Sequence, residues 1–369
     1  MTNQFLRRSS TAIAVAIGLG LAAGGAQAAP VTFSTFISGA DINAVLGQNN
    51  TIAITYAGDK FVGSVYVGPN NLQLYQSDLN GQNVQKFGSL LPTGGGEPVL
   101  AASLGQAGFP SASIYSSGGD GKIYMYGHNG GAPVLFGSTD DGSNVRQIFF
   151  DPGSSFGGKM LVATTSGHIL SYSSTGARTL VASVGEDTEG MDVASKKYGK
   201  YAGQLLVASE GSGKIRAIKA DGTITVLNLR NQAGAVVAIS AAETVSTVPL
   251  DLGVSGDPLE GFYVGNYPAD VQKAAASAFA GLEGDTLITS EFGGNSTLWD
   301  LSYNGDVTDT FTVSPVGTIP NQSEDGIFVT KTRIAQTNPV PEPISLVLVS
   351  VALGALRLTS FRRTRAGAV

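Results

Sequence analysis

The stretch Ile215 to Gly222, IRAIKADG, decides the fold, because the chain writes it five times. Aligned on a turn glycine, its companions are LQLYQSDLNG ending at Gly81, IYMYGHNG at Gly130, ILSYSSTG at Gly176 and LWDLSYNG at Gly305. Seven residues before each glycine stands Leu74, Ile123, Ile169, Ile215 or Leu298. Four of the five segments place Tyr126, Tyr172, Ile218 or Leu301 at the fourth position back. Successive glycines are 49, 46, 46 and 83 residues apart, so the last interval holds an insertion. A fixed period of this length signals a repeat architecture.

Outward from the aligned segment, each unit has the same layout. A strand such as KMLVATT, QLLVASE or TLITSE precedes it, and one such as ARTLVAS or TITVLNL follows its turn. Asn-Gly and Asp-Gly suit tight hairpins because both turn positions need positive φ. Ahead of this triplet lies one more strand: EPVLAAS, RQIFFDP, EGMDVAS or EGFYVGN. Four antiparallel strands per period describe an all-β propeller blade. A two-layer sandwich would not require one motif at near-constant spacing. Six blades are favoured, with five or seven open. Val31 to Ile37 and Asp325 to Thr330 would then place a strand from each end in one closing blade. AETVSTVPLDLG, within residues 231–257, fits no position in this scheme, and VQKAAASAFA (Val271 to Ala280) reads as the one helical stretch of the body. On repeat pattern alone the body resembles secreted propellers of the lactonase-like and NHL-like kind, a likeness that brings no catalytic motif.

The two ends are different material. Residues 1–29 combine basic Arg7 and Arg8, an apolar run from Ala12 to Ala23 and the pattern Ala26-Gln27-Ala28, as in a signal peptide cleaved by signal peptidase after Ala28 or Ala29. Export would permit disulfides, yet the chain has no cysteine, so about three hundred residues must bury their core unaided. Residues 339–369 contain rigid Pro341-Glu342-Pro343, the uncharged run Ile344 to Leu356, and a basic end with Arg362, Arg363 and Arg365. Arg357 interrupts the apolar stretch within snorkelling reach of that end.

This order of parts resembles the PEP-CTERM sorting tail of Gram-negative bacteria. The resemblance covers about the last thirty residues. It implies recognition by an exosortase, cleavage near Pro341 to Pro343, and passage through the inner membrane on the C-terminal helix. It also implies a destination at the cell surface or in the extracellular matrix, in bacteria that make exopolysaccharide and biofilm.

Without both ends, the body of residues 30–338 keeps 16 of 22 basic and 27 of 28 acidic residues, a net charge near −11. Such a surface repels nucleic acid and attracts cations. Its recurring acid is the candidate site. Glu97 and Glu189 each stand 33 residues before their turn glycine, at the start of a first strand. Glu260 holds the corresponding place in the inserted unit, and Glu324 opens the last strand. First strands line a propeller's channel, so these four residues are expected around one mouth, where a cation would relieve their mutual repulsion. An all-oxygen set favours Ca²⁺ or Mg²⁺. On solvated loops the same acids would only cap strand starts.

Other residues carry weaker chemistry. Glu210 and Glu291 end second strands beside Gly-rich turns and read as surface acids, or as a carboxylate pair for glycoside hydrolysis if both face one cleft. DLNGQN (Asp78 to Asn83) lacks the closing glutamate of a calcium loop and reads as a hairpin turn. His128 and His168 lack the spacing of a metal pair. Trp299 reads as core; Tyr124, Tyr126, Tyr172, Tyr263 and Tyr303 are candidates for a sugar-stacking face. The chain has no G-x-S-x-G, H-E-x-x-H or P-loop motif. Two functions compete: a non-catalytic surface or matrix propeller binding extracellular polysaccharide or a matrix protein, and a divalent-metal-dependent hydrolase or lactonase working at the channel mouth.

Overall fold

A computed structural model describes residues 29–66, 73–92, 96–291 and 294–337. The leader with Ala28, and the tail with Pro341, Glu342, Pro343, Arg362 and Arg363, lie outside the described residues.

The chain is a six-bladed β-propeller. Blade 4 shows the plan: Met191–Val193, Leu205–Ala208, Ile215–Ile218 and Ile224–Val226 pair antiparallel from the channel outward. Its second and third strands are buried at every position, because neighbouring blades cover both faces. The apolar runs are therefore nearly continuous and do not alternate. Outermost strands such as Arg178–Ser183 are largely exposed.

The innermost strands are Thr51–Tyr56, Leu100–Ala102, Val145–Phe150, Met191–Val193, Ala242–Thr247 and Gln322–Val329, in ring order from blade 1 to blade 6. The last lies against the first and closes the ring. Blade 6 takes its innermost strand from the C-terminal side and its outermost, Ser34–Ile37, from the N-terminal side, as the sequence leads one to expect.

Blades 5 and 6 are interleaved, which accounts for the long last interval. After Ala242–Thr247 the chain leaves blade 5, builds the central hairpin of blade 6 (Gly261–Tyr267 and Asp270–Ala275), and returns for Thr286–Ser290, Ser296–Tyr303 and Phe311–Ile319. Blade 5 also gains a fifth strand, Leu229–Asn231, parallel to Phe311–Ile319. Two expectations are corrected here. AETVSTVPLDLG supplies the innermost strand of blade 5, while EGFYVGN is the second strand of blade 6 and lines no channel. Val271 to Ala280 is no helix: it forms the strand Asp270–Ala275 and a short 3₁₀ turn, Ala276–Phe279. Pairing with strands on both sides outweighs the alanines' helical preference, which is worth only tenths of a kcal/mol per residue.

The core is divided among the spaces between blades. One apolar cluster joins blades 2 and 3 around Tyr115, Phe150 and Tyr172, another joins blades 3 and 4, and others serve 4 with 5 and 5 with 6. The repeat glycines belong to this packing. All five have positive φ, from 74° at Gly81 to 95° at Gly305. A Cβ on Gly81, Gly176 or Gly222 would stand 2.1, 2.6 or 2.4 Å from the Phe36, Phe136 or Val181 carbonyl oxygen on the outer strand of the preceding blade. Two short helices stand apart from the blades. α1 (Gly39–Leu46) is capped by the Ser38 hydroxyl, which accepts from the Asp41 N–H at 3.1 Å. α2 (Lys331–Thr337) follows the closing strand.

Candidate functional site at the acidic mouth of the channel

The six innermost strands run in the same sense, so the residues at their starts gather at one mouth. Blade 1 presents Ile52, blade 2 Glu97, blade 3 Arg146, blade 4 Glu189, blade 5 Glu243 and blade 6 Glu324 around a cleft of about 20 Å³, room for one water-sized occupant. Asp187, just ahead of the blade 4 strand, and Glu210, at the end of that blade's second strand, stand beside them.

Arg146 organises one half of the ring. Its guanidinium lies 2.8 Å from Glu97 Oε2, 2.7 Å from Asp187 Oδ2, 2.9 Å from Glu189 Oε1 and 4.0 Å from Glu210 Oε2. Burial opposes its charge, but the Asp187 hydrogen bonds and the charges of Glu189, Asp187 and Glu97 hold it above its ordinary pKa. Carboxylate oxygens of Asp187, Glu189 and Glu210 lie within 4.8 Å of one another, a spacing fit for a cation. The arginine supplies a positive charge there from within the chain.

The other half has no such partner. Glu324 is 5 % exposed and its carboxylate, among the described residues, makes no hydrogen bond or ion pair, yet it lines the cleft. Burial first, then repulsion from Glu97, Glu291 and Glu189, push its carboxyl up to about 9. Glu243, half-buried, is raised by burial and by Glu189, Glu324 and Glu291. Glu291 accepts a hydrogen bond from the Gln322 amide and is pushed up to about 7 by burial, Glu210 and Glu97. Glu189, 5 % exposed, is also raised, chiefly by burial. Seven carboxylates thus converge on one guanidinium.

Three of the four predicted acids, Glu97, Glu189 and Glu324, meet at the mouth. Glu260 does not. It lies beside the far end of the blade 6 inner strand, where its carboxylate accepts from the Ser255 hydroxyl at 2.7 Å and the Lys331 N–H at 2.9 Å. It precedes a second strand, and second strands do not line the channel. Its place is taken by Glu243, which a search for acids opening a β-branched run could have found in AETVST. No acidic pattern points to Arg146. Glu210 and Glu291 are corrected from surface acids to members of the mouth.

The remaining candidates lie elsewhere. His168 Nδ1 stands 2.6 Å from Asp141 Oδ2 and His128 Nε2 3.1 Å from Asp59 Oδ1, and neither lines the cleft. Asp78 spends its carboxylate on the hairpin turn, accepting from the N–H groups of Asn80 and Gln82 and from the Asn83 amide. Tyr124, Tyr126, Tyr172 and Tyr263 are buried, so they form no sugar-stacking face. Trp299 is half-buried, its indole N–H 3.4 Å from the Ser290 hydroxyl.

Below the mouth the channel is bridged. Gln147 of blade 3 reaches across to Asp325 of blade 6, Nε2 to Oδ1 at 3.4 Å, while its amide oxygen accepts from the Met191 N–H. Both residues line the upper cleft and the larger space beneath it.

The class defined by this fold and site is a six-bladed propeller with an acidic, arginine-braced channel mouth. No family model and no curated protein matches the chain. Solved structures similar to it include a protein of unknown function from Bacteroides thetaiotaomicron VPI-5482, with TM-score 0.45 and 13% identity over 79% of this chain and 69% of that one. Others are the Dos1 propeller, with TM-score 0.44 and 11% identity over 82% and 66%, and the WD40 propeller domain of Doa1, with 0.41 and 13% over 73% and 69%. Among the described residues no helix is long and apolar enough to cross a membrane.

Proposed function

We propose that the chain is an exported, non-catalytic propeller of the bacterial surface or extracellular matrix, whose acidic mouth holds a divalent cation and binds extracellular polysaccharide or a matrix protein through it. One observation carries the cation: Glu324 is nine-tenths buried and unpaired beside Glu243, in a cleft of ionic size. Burying a carboxylate without a partner is costly, and a hard cation with oxygen ligands would offset that cost. The donors fit Ca²⁺ or Mg²⁺. Glu243 and Glu324 line the cleft that the ion would fill, beside Asp187, Glu189 and Glu210, whose oxygens lie within 4.8 Å of one another and which Arg146 braces. Four of the five candidate stacking tyrosines are buried, and half-buried Tyr303 donates its hydroxyl to Asp306 at 2.8 Å, which favours cation bridging as the route to a sugar polymer.

Export and sorting rest on the leader and the PEP-CTERM-like tail, with signal peptidase and exosortase as processing partners. The intact mass of the protein recovered from cell surface and medium tests this half. Loss at both ends, with a cut near Pro341 to Pro343, is expected; retention of the arginine tail refutes exosortase processing. Cosedimentation with the producer's own polysaccharide, with calcium or with EDTA, tests the other half. Calcium-dependent binding that Glu243→Gln and Glu324→Gln weaken is expected, and binding indifferent to calcium refutes the bridge.

The hydrolase or lactonase reading retains one observation in its favour. Glu291 stands beside the mouth, accepts from the Gln322 amide and is pushed up to about 7, in the range a general acid or base at neutral pH needs. Lactone turnover abolished by Glu291→Gln would establish it, and turnover unchanged by that substitution would remove it.

A further inference from the structure

Beneath the Gln147–Asp325 bridge the channel widens into a chamber of about 760 Å³ that opens toward the opposite end of the propeller. This lies within the size range of small-molecule sites. Its wall is mainly apolar, with Leu100, Ile148, Phe150, Met191 and Val245 among the lining residues. Two carboxylates face it. Asp192 is held in place by the N–H groups of Val193 at 2.6 Å and Thr247 at 2.8 Å. Asp325 has the long contact from Gln147. Arg333 of α2 also lines the chamber, and its charge acts on both acids. Of the other charged groups lining the chamber, Asp251 accepts from the Thr332 hydroxyl at 2.6 Å, and Lys196 is exposed at the rim.

We propose that this chamber binds a small amphipathic cation, its apolar body against the wall and a single ammonium or amidinium group on Asp192 and Asp325. With both carboxyls ionised, two inward carboxylates against one guanidinium leave one negative charge in apolar surroundings, and a bound monocation cancels it while holding the two acids in their ionised form. An anion would face both carboxylates, and a neutral ligand would leave the imbalance in place. Burial pushes Asp192 and Asp325 each up to about 7 and brings Arg333 down to about 10, so a cation that binds here displaces protons from the two acids. Arg333 fills part of the cationic role from within the chain, so it competes with the ligand. The site is separate from the acidic mouth and does not depend on any ion there.

Calorimetric titration with three molecules of one shape tests the proposal: phenethylammonium, 2-phenylethanol and phenylacetate. Phenethylammonium is expected to bind one per chain, about tenfold or more tighter than the alcohol, as one charge-assisted contact of 1.4 kcal/mol would give. Phenylacetate should give no binding. Asp192→Asn and Asp325→Asn should each weaken the amine by about tenfold, Arg333→Ala should tighten it, and Glu243→Gln at the other mouth should change nothing. Equal binding of amine and alcohol overturns the proposal, leaving an apolar cavity without charge selection. Amine binding lost in Glu243→Gln but kept in Asp325→Asn also overturns it, by moving the ion to the acidic mouth. So does the absence of binding by any of the three to protein that melts cooperatively.

Discussion

Arg146 is the residue on which the mouth turns, since Glu97, Asp187 and Glu189 each lie within 3 Å of its guanidinium. Removing it leaves buried Glu189 without the one cation paired with it among the described residues. Arg146→Met is therefore expected to destabilise the protein by about 3–5 kcal/mol in urea unfolding, the range for breaking one side of a buried ion pair. A loss below about 1 kcal/mol would mean that solvent already screens the cluster. Glu324 predicts the pH dependence. An unfolded glutamate titrates near pH ~4.3, whereas the native state holds this one up to about 9 and Glu291 up to about 7. The native state therefore binds more protons across that interval, and stability falls as pH rises through it. In EDTA the melting temperature should drop between about pH 5 and 9, and Glu324→Gln should flatten the slope. Calcium should flatten it too, if an ion fills the cleft. A slope that Glu324→Gln leaves unchanged would place its origin elsewhere.

The elements make a sharper prediction through their turn glycines. Gly222 and Gly305 occupy the same motif position with similar φ, 87° and 95°. They differ in what lies beyond them. A Cβ at Gly222 would stand 2.4 Å from the Val181 carbonyl oxygen of the preceding blade, and at Gly305 it would meet nothing within 4 Å. Gly305→Ala should cost only the left-handed backbone term, about 1–2 kcal/mol. Gly222→Ala should cost more, about 3 kcal/mol or above, because it also forces two blades apart. Equal losses in urea unfolding would show that the turn alone explains the conserved spacing of the motif within this chain. The outer strand Ser34–Ile37 is tested in the same way. Among the described residues it pairs with Asp270–Ala275 alone, and Thr35→Pro would remove the hydroxyl that donates to Asp270 at 2.8 Å and lower the melting temperature.

At the scale of the whole molecule, interleaving couples blades 5 and 6. Neither can close before the chain has crossed between them, with Gly261–Tyr267 and Asp270–Ala275 made before blade 5 is complete and Gln322–Val329 after. Native-state hydrogen exchange is expected to release the inner strands of these two blades together, as one cooperative unit. Separate release, with blade 6 opening well before blade 5, would show that closure is a late and local event. The same ring also separates two chemistries. One mouth collects seven acids and one arginine, and the opposite chamber is mainly apolar with Asp192, Asp251 and Asp325 in its lining, so ligands for the two ends need not resemble one another.

Much of this was legible in the residues. The motif at Gly81, Gly130, Gly176, Gly222 and Gly305 specified blades, and the flanking strands specified closure from both ends, because hairpin turns and buried runs are local properties of the chain. Glu97 and Glu189 were legible for the same reason, as acids at a fixed offset from a local motif, and Glu324 as the acid that opens the last strand. Glu260 against Glu243 was not. Both stand at the start of a strand, Glu243 within it and Glu260 just ahead of it, and which strand lies innermost depends on pairing partners tens of residues away. Arg146 was hidden in the same way, since nothing near it in sequence marks it as the counterion of acids contributed by two other blades. Sequence by itself determined the repeating unit and the excess of negative charge. The tertiary structure alone decided which acids meet, which have a cation and which remain buried without one, because those relations are set by distances across the channel.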